Sequence, residues 1–497
     1  MLRDENVEAI DFDTDADWIG LTGYIVHKAR MFEIIDAFKA RGRRIAVGGP
    51  FATLCPEQLR DKVDVLFVGE SERTWPRFLS DLAAGEPRAE YHADALPELD
   101  DAPIPRFDLL KLNRYRSMAV QFARGCPYTC EFCDIIVMYG RRPRTKPVAR
   151  LVAEVDALHA LGAHDVFVVD DNFIGNKKAA KALLRELVGW QVAHGYPVEF
   201  MTEVSLNLAQ DDELLRLMHD ANFTSVFIGI ESPRVASLEE TGKTQNIRAD
   251  LLGSVRKIQD AGIEVMAGMI VGFDNDDVSI FEEQFRFIQD ARIPVSMTGL
   301  LNALPQTPLR ERLLTAGRLD DEYTGDQFVF SNVIPAAMSR LELYEGYRDL
   351  LERLYDHSNY RRRAMAFLRD QGPEKRVRVS AGAHEVRIFL RVLWTCVLLA
   401  PPRRAAMTLR MLGETLLRRP SSMRKAVVLA LMHKHLHEYA VFVRAELDRI
   451  IVGLRAPAPP PVAVAELVGH RLLPQDRLAG RRSPDPASGH VVDVPAG

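Results

Sequence analysis

Cys126, Cys130 and Cys133 stand inside eight positions of the stretch RGCPYTCEFCDI, residues 124–135, and account for three of the five cysteines in 497 residues. Three soft thiolates on one short loop suit zinc or an iron–sulfur cluster. Structural zinc takes four closed ligands, usually as two distant pairs, and the sequence offers no second pair; His159 and His164 fall on or just after a helical stretch. A cubane cluster on three protein thiolates leaves one iron open. An open metal position is the usual sign of chemistry.

Such a loop needs a scaffold, and the sequence around it alternates apolar runs with amphipathic stretches. From Met118 the strand candidates are MAVQFA, DVFVVD (165–170), VEFMTEV (198–204), SVFIGIE (225–231), EVMAGMIVGF (264–273) and PVSMTGLL (294–301). Helical periodicity fills the gaps. In the first, Val148, Leu151, Val152, Val155 and Leu158 mark one face, and Gly162 is placed to end it. Six βα units in series predict a parallel barrel or partial barrel with its chemistry at the carboxyl ends of the strands. The cysteines follow the first strand, at that mouth.

The first 85 residues repeat the alternation on a smaller scale. WIGLTG, RIAVGGP and VDVLFVGE read as short apolar strands separated by helices, the signature of a parallel, doubly wound sheet. Its ligand belongs at the strand ends, where the loops Thr22–Ile25, Gly48–Thr53 and Gly69–Glu72 lie. Cys55 reads as a packing residue. Residues 96–117, rich in proline and acid, read as a linker.

The CxxxCxxC spacing, with Phe132 before its last cysteine and a strand before its first, resembles the radical S-adenosylmethionine (SAM) superfamily. The resemblance implies that Cys126, Cys130 and Cys133 bind a 4Fe-4S cluster whose open iron is chelated by SAM. Reductive cleavage would then release a hydrogen-abstracting 5′-deoxyadenosyl radical. It places SAM contacts at the strand ends: Asp170, Asp171 and Asn172; Glu203 and Ser205, with Asn207; Glu231 and Ser232; and the glycine strand with Gly268 and Gly272.

VGGPFATLCPEQL and VDVLFVGESERTWPRFL resemble the cobalamin-binding domain that precedes many such enzymes. That implies cobalamin contacts at Thr22, Gly23, Gly48, Gly49, Pro50, Gly69 and Glu70. Relatives carry a further strand, a helix and a Pro-Pro loop before the point matching Met1. The sequence also has no Asp-x-His-x-x-Gly motif to supply an axial histidine. The phrases FVVDDNFIGNKK, FIGIESP, KTQN (Lys243–Asn246) and VMAGMIVGFD are similar to the branch of cobalamin-dependent radical enzymes that includes the hopanoid C-2 methylase.

The fold expected is therefore α/β. It comprises an N-terminally incomplete Rossmann-like cobalamin-binding domain (1–95), the linker (96–117), a radical SAM (β/α)6 partial TIM barrel (118–308), a mostly helical C-terminal region (309–455) and a disordered tail (456–497). The resemblance implies methyl transfer from methylcobalamin to an unactivated carbon of a small-molecule or lipid-like substrate, hopanoid being one candidate. A reductant such as ferredoxin or flavodoxin would feed the cluster, and no nucleic acid is expected. Two alternatives are radical SAM oxidation, rearrangement or coupling without cobalamin, and a non-enzymatic iron–sulfur or zinc module.

Composition sets outer limits. The odd number and clustering of the cysteines exclude a secreted disulfide framework, and neither a signal peptide nor an apolar run of membrane-spanning length is present, so the protein is expected in the cytoplasm. The net charge of −5 hides an asymmetry: Gln371 to Arg455 carries 16 Lys and Arg against 6 Asp and Glu. Arg403, Arg404, Arg418, Arg419, Arg424 and Lys425 flank apolar segments, a pattern that suits a solvated Arg-rich helical surface, a core helix, or an interfacial helix in peripheral contact with the inner face of the membrane. IFLRVLWTCVLLAPP, from Ile388, reads as a buried or interfacial helix rather than a span. His433, His435 and His437, spaced by two, are spread around a helix and do not read as a metal site.

Overall fold

The computed structural model describes residues 1–100, 102–247, 249–320, 325–373 and 389–455. The expected disordered tail, 456–497, lies outside the described residues.

The first sheet runs in the order β1 (Trp18–Thr22), β2 (Arg44–Gly48), β3 (Val65–Val68) and β4 (Glu90–His92), all parallel. Its two central strands, β2 and β3, carry runs of consecutive buried apolar residues because both faces are covered. Ile45, Val47 and Leu66 pack on the helices Lys28–Lys39 and Pro50–Leu54, while Ala46, Val65 and Phe67 pack with Phe78 and Tyr91. β4 was not among the strand candidates. Its sequence is Glu-Tyr-His with only Tyr91 buried, too short to show a period.

Among the described residues β1 pairs only with β2, and the sheet follows sequence order from β1 to β4. Residues 96–117 are packed against the protein rather than freely joining its parts. Leu99 and Phe107 are buried, Tyr115 donates to Asp4 at 2.9 Å and Lys111 pairs with Glu8 at 2.5 Å.

The second sheet contains β5 (Met118–Val120), β8 (Asp165–Val168), β9 (Glu199–Val204), β10 (Phe223–Glu231), β11 (Glu264–Val271) and β12 (Ser296–Leu300). All six are parallel and follow sequence order across an open sheet, as a partial barrel requires. β5 stops three residues before the end of the MAVQFA run. There the chain turns away, and β6 (Ala123–Arg124) pairs antiparallel with β7 (Arg144–Thr145), closing the base of the cysteine loop. In the helix Val148–Ala160, Leu151, Val155 and Leu158 are fully buried, and Gly162 follows the helix with φ +86°.

Helices Arg340–Tyr355, His357–Asp370, Pro402–Arg418 and Met423–Arg455 pack beside β12 and its neighbours. Tyr347 donates to the Thr298 carbonyl at 2.9 Å and Arg363 to that of Ile293 at 2.9 Å, so two buried polar side chains join the helices to the strand. No helix among the described residues is long and apolar enough to cross a membrane.

Candidate cofactor site at the mouth of the partial barrel

The cysteine loop is anchored by two neighbouring carboxylates. Beyond β8, Asp170 accepts the Phe122 amide at 2.7 Å and Asp171 accepts the Gly125 amide at 3.0 Å. Gly125 has φ +94°, and a Cβ there would lie 2.9 to 3.1 Å from the carbonyl oxygens of Gly140, Tyr139 and Arg142. Only glycine fits that crossing. The Cys133 amide donates back to the Cys130 carbonyl at 3.1 Å, and Glu131 donates to the Thr241 carbonyl at 3.0 Å, which ties the loop to the segment after β10.

Polar groups converge on the sulfurs. Asn172 Nδ2 lies 3.9 Å from Cys126 Sγ and Gln245 Nε2 lies 3.8 Å from Cys130 Sγ, each as a donor. Burial pushes the Cys130 and Cys133 thiols up, whereas the Lys243 charge beside them pulls the other way. Lys243 is buried and paired with Glu231 at 2.6 Å. Glu231 itself has φ +66° at an irregularity in β10, and a Cβ on Gly229 would run into both the Glu231 carboxylate and the Lys243 ammonium. A further chain of hydrogen bonds runs from Asn172 through Ser205 and Asn207 to the Tyr128 hydroxyl, at 3.2, 2.7 and 2.7 Å.

These contacts sort the expected SAM residues. Asn172, Ser205 and Glu203 line the mouth around the cysteines, and Glu231 joins them through Lys243. Asp170 and Asp171 act on the backbone of the cysteine loop. Ser232 is fully buried and accepts the Arg234 amide at 3.2 Å, which turns it into the following bend. Gly268 lies against the Phe227 ring, where a Cβ would stand 3.0 Å from it, and Gly272, with φ +104°, donates its amide to Asp276 at 3.0 Å. Lys243, Gln245 and Tyr128 carried no role in the sequence reading. KTQN was quoted there, but its distance along the chain from the cysteines hid the contact.

The mouth is acidic. Burial raises Asp171 to about 6 and Glu203 to about 7, with Asp134 adding to the first and Asp171 to the second. Tyr24, on the loop after β1, is raised by burial and by the charges of Asp171, Asp134 and Glu203. The loops of the first sheet lie beside the cysteine loop. Two features hold them there. The helix Ile135–Tyr139, directly after the cysteines, buries Met138 in the core of the first sheet. Glu70 pairs with both Arg124 and Arg144, and Arg124 also reaches Glu72 at 2.6 Å. Glu70, read from the sequence as a cobalamin contact, uses its carboxylate in this clamp. Thr22, Gly23, Gly48, Gly49, Pro50 and Gly69 remain on the facing edge; Gly49 and Gly69, both at φ +88°, need the freedom of glycine.

The donor set fits a cluster better than a single ion. Three thiolates on one zinc at about 2.3 Å stand roughly 3.8 Å apart. Among the described residues the three sulfurs are not gathered within 4.8 Å of one another.

The family model described as "Radical SAM superfamily" matches residues 120–288, and a "Domain of unknown function (DUF4070)" matches 307–449. The chain is 45% identical over 368 residues to an uncharacterized methyltransferase, sll1242, of Synechocystis sp., covering 72% of this chain and 68% of that one. It is 36% identical over 323 residues to the hopanoid C-2 methylase of Rhodopseudomonas palustris, covering 64% of this chain and 61% of that protein. Among solved structures it shares its fold with the radical SAM methyltransferase TsrM of Kitasatospora setae, with cobalamin and a 4Fe-4S cluster bound. There the TM-score is 0.57 at 16% identity, covering 85% of this chain and 89% of that one. It also shares its fold with the cobalamin-dependent enzyme OxsB, at TM-score 0.55 and 16% identity, covering 89% and 72%.

Proposed function

Because this chain belongs to the radical SAM superfamily, in the branch that includes the hopanoid C-2 methylase, we propose that it is a cobalamin-dependent radical C-methyltransferase acting on a lipid-like substrate. The observation that carries the reading is the apposition of two loop sets. The cysteine loop at the barrel mouth faces the glycine loops of the first sheet, and the Glu70, Arg124 and Arg144 clamp fixes one to the other.

When bound, a 4Fe-4S cluster with SAM supplies one-electron cleavage of the sulfonium and hydrogen abstraction, and cobalamin supplies the methyl group. The chain's own residues prepare the ground. Cys126, Cys130 and Cys133 would hold the cluster, while Asn172, Gln245 and Lys243 offset the thiolate charge by hydrogen bonding and by proximity. Asp134, Asp171 and Glu203 give the mouth a negative field suited to the cationic sulfonium and ammonium of SAM. Asn172 and Ser205 offer amide and hydroxyl groups to its methionine end. The apposed loops border the space between the two cofactors. The first sheet offers cobalamin backbone and small side chains.

The lipid-like substrate class rests on the C-terminal region. Leu390, Trp394 and Leu398 recur every four residues and are 58%, 56% and 69% exposed, while Val392 and Cys396 between them are buried. An apolar stripe with an exposed Trp, flanked by arginines, is suited to the interface of an anionic membrane. Sedimentation with phosphatidylglycerol vesicles should retain the wild type and release Trp394→Ser with Leu398→Ser.

Anaerobic reconstitution with hydroxocobalamin tests the function as a whole. The proposal expects about one cobalamin per chain and transfer of isotopically labelled methyl from SAM to cobalamin. Cluster and 5′-deoxyadenosine without cobalamin uptake would instead favour radical chemistry without methyl transfer.

A further inference from the structure

Far from the cysteines, His357, His433 and His437 bring their ring nitrogens together so that one ligand atom from each lies within 4.8 Å of the others. His357 opens the helix His357–Asp370, and His433 and His437 sit one turn apart on Met423–Arg455. His435, the third member of the sequence run, is on another face of the helix and takes no part. The spacing of two misleads here, because positions four apart share a face and the third ligand comes from 76 residues upstream of His433.

The surroundings match what a metal-binding imidazole requires. Ligating histidines commonly donate their second nitrogen to a carbonyl, which fixes the tautomer and aims the other lone pair at the ion. Here one carbonyl serves two rings: Tyr355 O lies 3.3 Å from His433 Nε2 and 3.1 Å from His437 Nδ1. With those nitrogens protonated, His433 Nδ1 and His437 Nε2 carry the lone pairs. His433 Nδ1 and His357 Nδ1 are both buried without a hydrogen-bond partner, and such orphaned atoms are costly unless something binds them. Burial and the two neighbouring rings also keep His433 uncharged at neutral pH, its pKa falling to about 3.

We propose that His357, His433 and His437 form a site for a first-row divalent cation, zinc in the first instance, with a fourth position left to water. Three neutral imidazoles suit zinc and its neighbours rather than calcium or magnesium. Nitrogens on one zinc at about 2.1 Å stand roughly 3.4 Å apart in a tetrahedron, so the rings contract onto the ion. Asp356 lies nearby, as do Arg403 and Arg404; Arg404 is neutralised by Glu438 at 2.8 Å. Bound there, the ion pins two helices of the C-terminal region to each other and, through Tyr355, whose hydroxyl donates to the Ser296 carbonyl, to the start of β12.

The test uses full-length protein carrying its iron–sulfur cluster, treated with chelator and dialysed to equilibrium against zinc. The proposal expects about one zinc per chain, X-ray absorption showing nitrogen and oxygen ligands without sulfur, and a zinc-dependent rise in melting temperature. His437→Gln, at the half-buried member, should weaken retention more than about tenfold, and His357→Gln with His437→Gln should remove it. Both variants should keep the iron content of the wild type. No retained zinc in the wild type, sulfur in the zinc shell, or full retention in the double variant would each overturn the site. The wild-type measurement stands even if a variant fails to fold.

Discussion

The protein carries two sets of three potential metal ligands, built in opposite ways. The cysteines lie within eight residues on one loop, held by backbone contacts to Asp170 and Asp171, with their sulfurs spread beyond what one ion gathers. The histidines come from two helices far apart in sequence and are drawn together by packing, with the Tyr355 carbonyl between two of them. The first set faces an acidic, partly open mouth. The second is enclosed among aromatic rings, with Tyr360 4.6 Å from His433. A contiguous loop positions its ligands by local backbone contacts, whereas a site drawn together between helices joins elements that are distant in sequence.

The largest contrast is expected from the ligands themselves. Cys130→Ala should reduce iron from about four per chain to near zero and abolish 5′-deoxyadenosine formation, because one of three cluster ligands is lost. The paired histidine substitutions should leave both unchanged. Iron analysis of the two proteins side by side checks this.

Lys243→Met comes next. It strands the Glu231 carboxylate in a buried setting, and breaking such a pair costs about 3–5 kcal/mol. Denaturant unfolding measures the loss; a double substitution of Lys243 and Glu231 by apolar residues should recover much of it.

Acid and base then separate the two regions, because their buried groups are shifted in opposite senses. Asp170 is raised to about 7 by burial, so the folded form holds a proton that the unfolded chain has released. Its contribution to stability is present at low pH and is lost as pH rises from about 4 to 7. His433 is depressed to about 3, so the unfolded chain takes up a proton first. Its contribution is present above about 6.5 and is lost as pH falls toward 3. In the presence of chelator, Asp170→Asn should flatten the first slope and His433→Gln the second, as read by melting temperature across pH. The smallest effect is expected from Glu203→Gln, which should weaken SAM binding about tenfold, the worth of one charge-assisted contact. It should also remove the part of the pH dependence centred near 7.

The same contrast explains what the sequence made legible. Six strands of the second sheet and three of the first were visible because each carries apolar residues either in a short run, as in β2 and β3, or at alternate buried positions, as in β9 and β11. β4 was missed because three residues show no period. The cysteine loop was visible because its ligands are contiguous and specific in spacing. Lys243 and Gln245 reach the cysteines only through the packing of the segment after β10, and the ion pairs of Glu70 were hidden because its partners, Arg124 and Arg144, lie beyond residues 96–117. The histidine site was hidden twice, by the distance to His357 and by the misleading run that includes His435. Contiguity makes a site readable, and packing makes a site without leaving a phrase.

Cys126, Cys130 and Cys133 are proposed to hold a cluster for SAM at the barrel mouth. The most direct test is to quantify 5′-deoxyadenosine after the reconstituted, reduced protein is incubated with SAM under anaerobic conditions. The wild type should form it and Cys130→Ala should not. A fully loaded 4Fe-4S protein that binds SAM and forms none with a competent low-potential reductant would contradict this assignment.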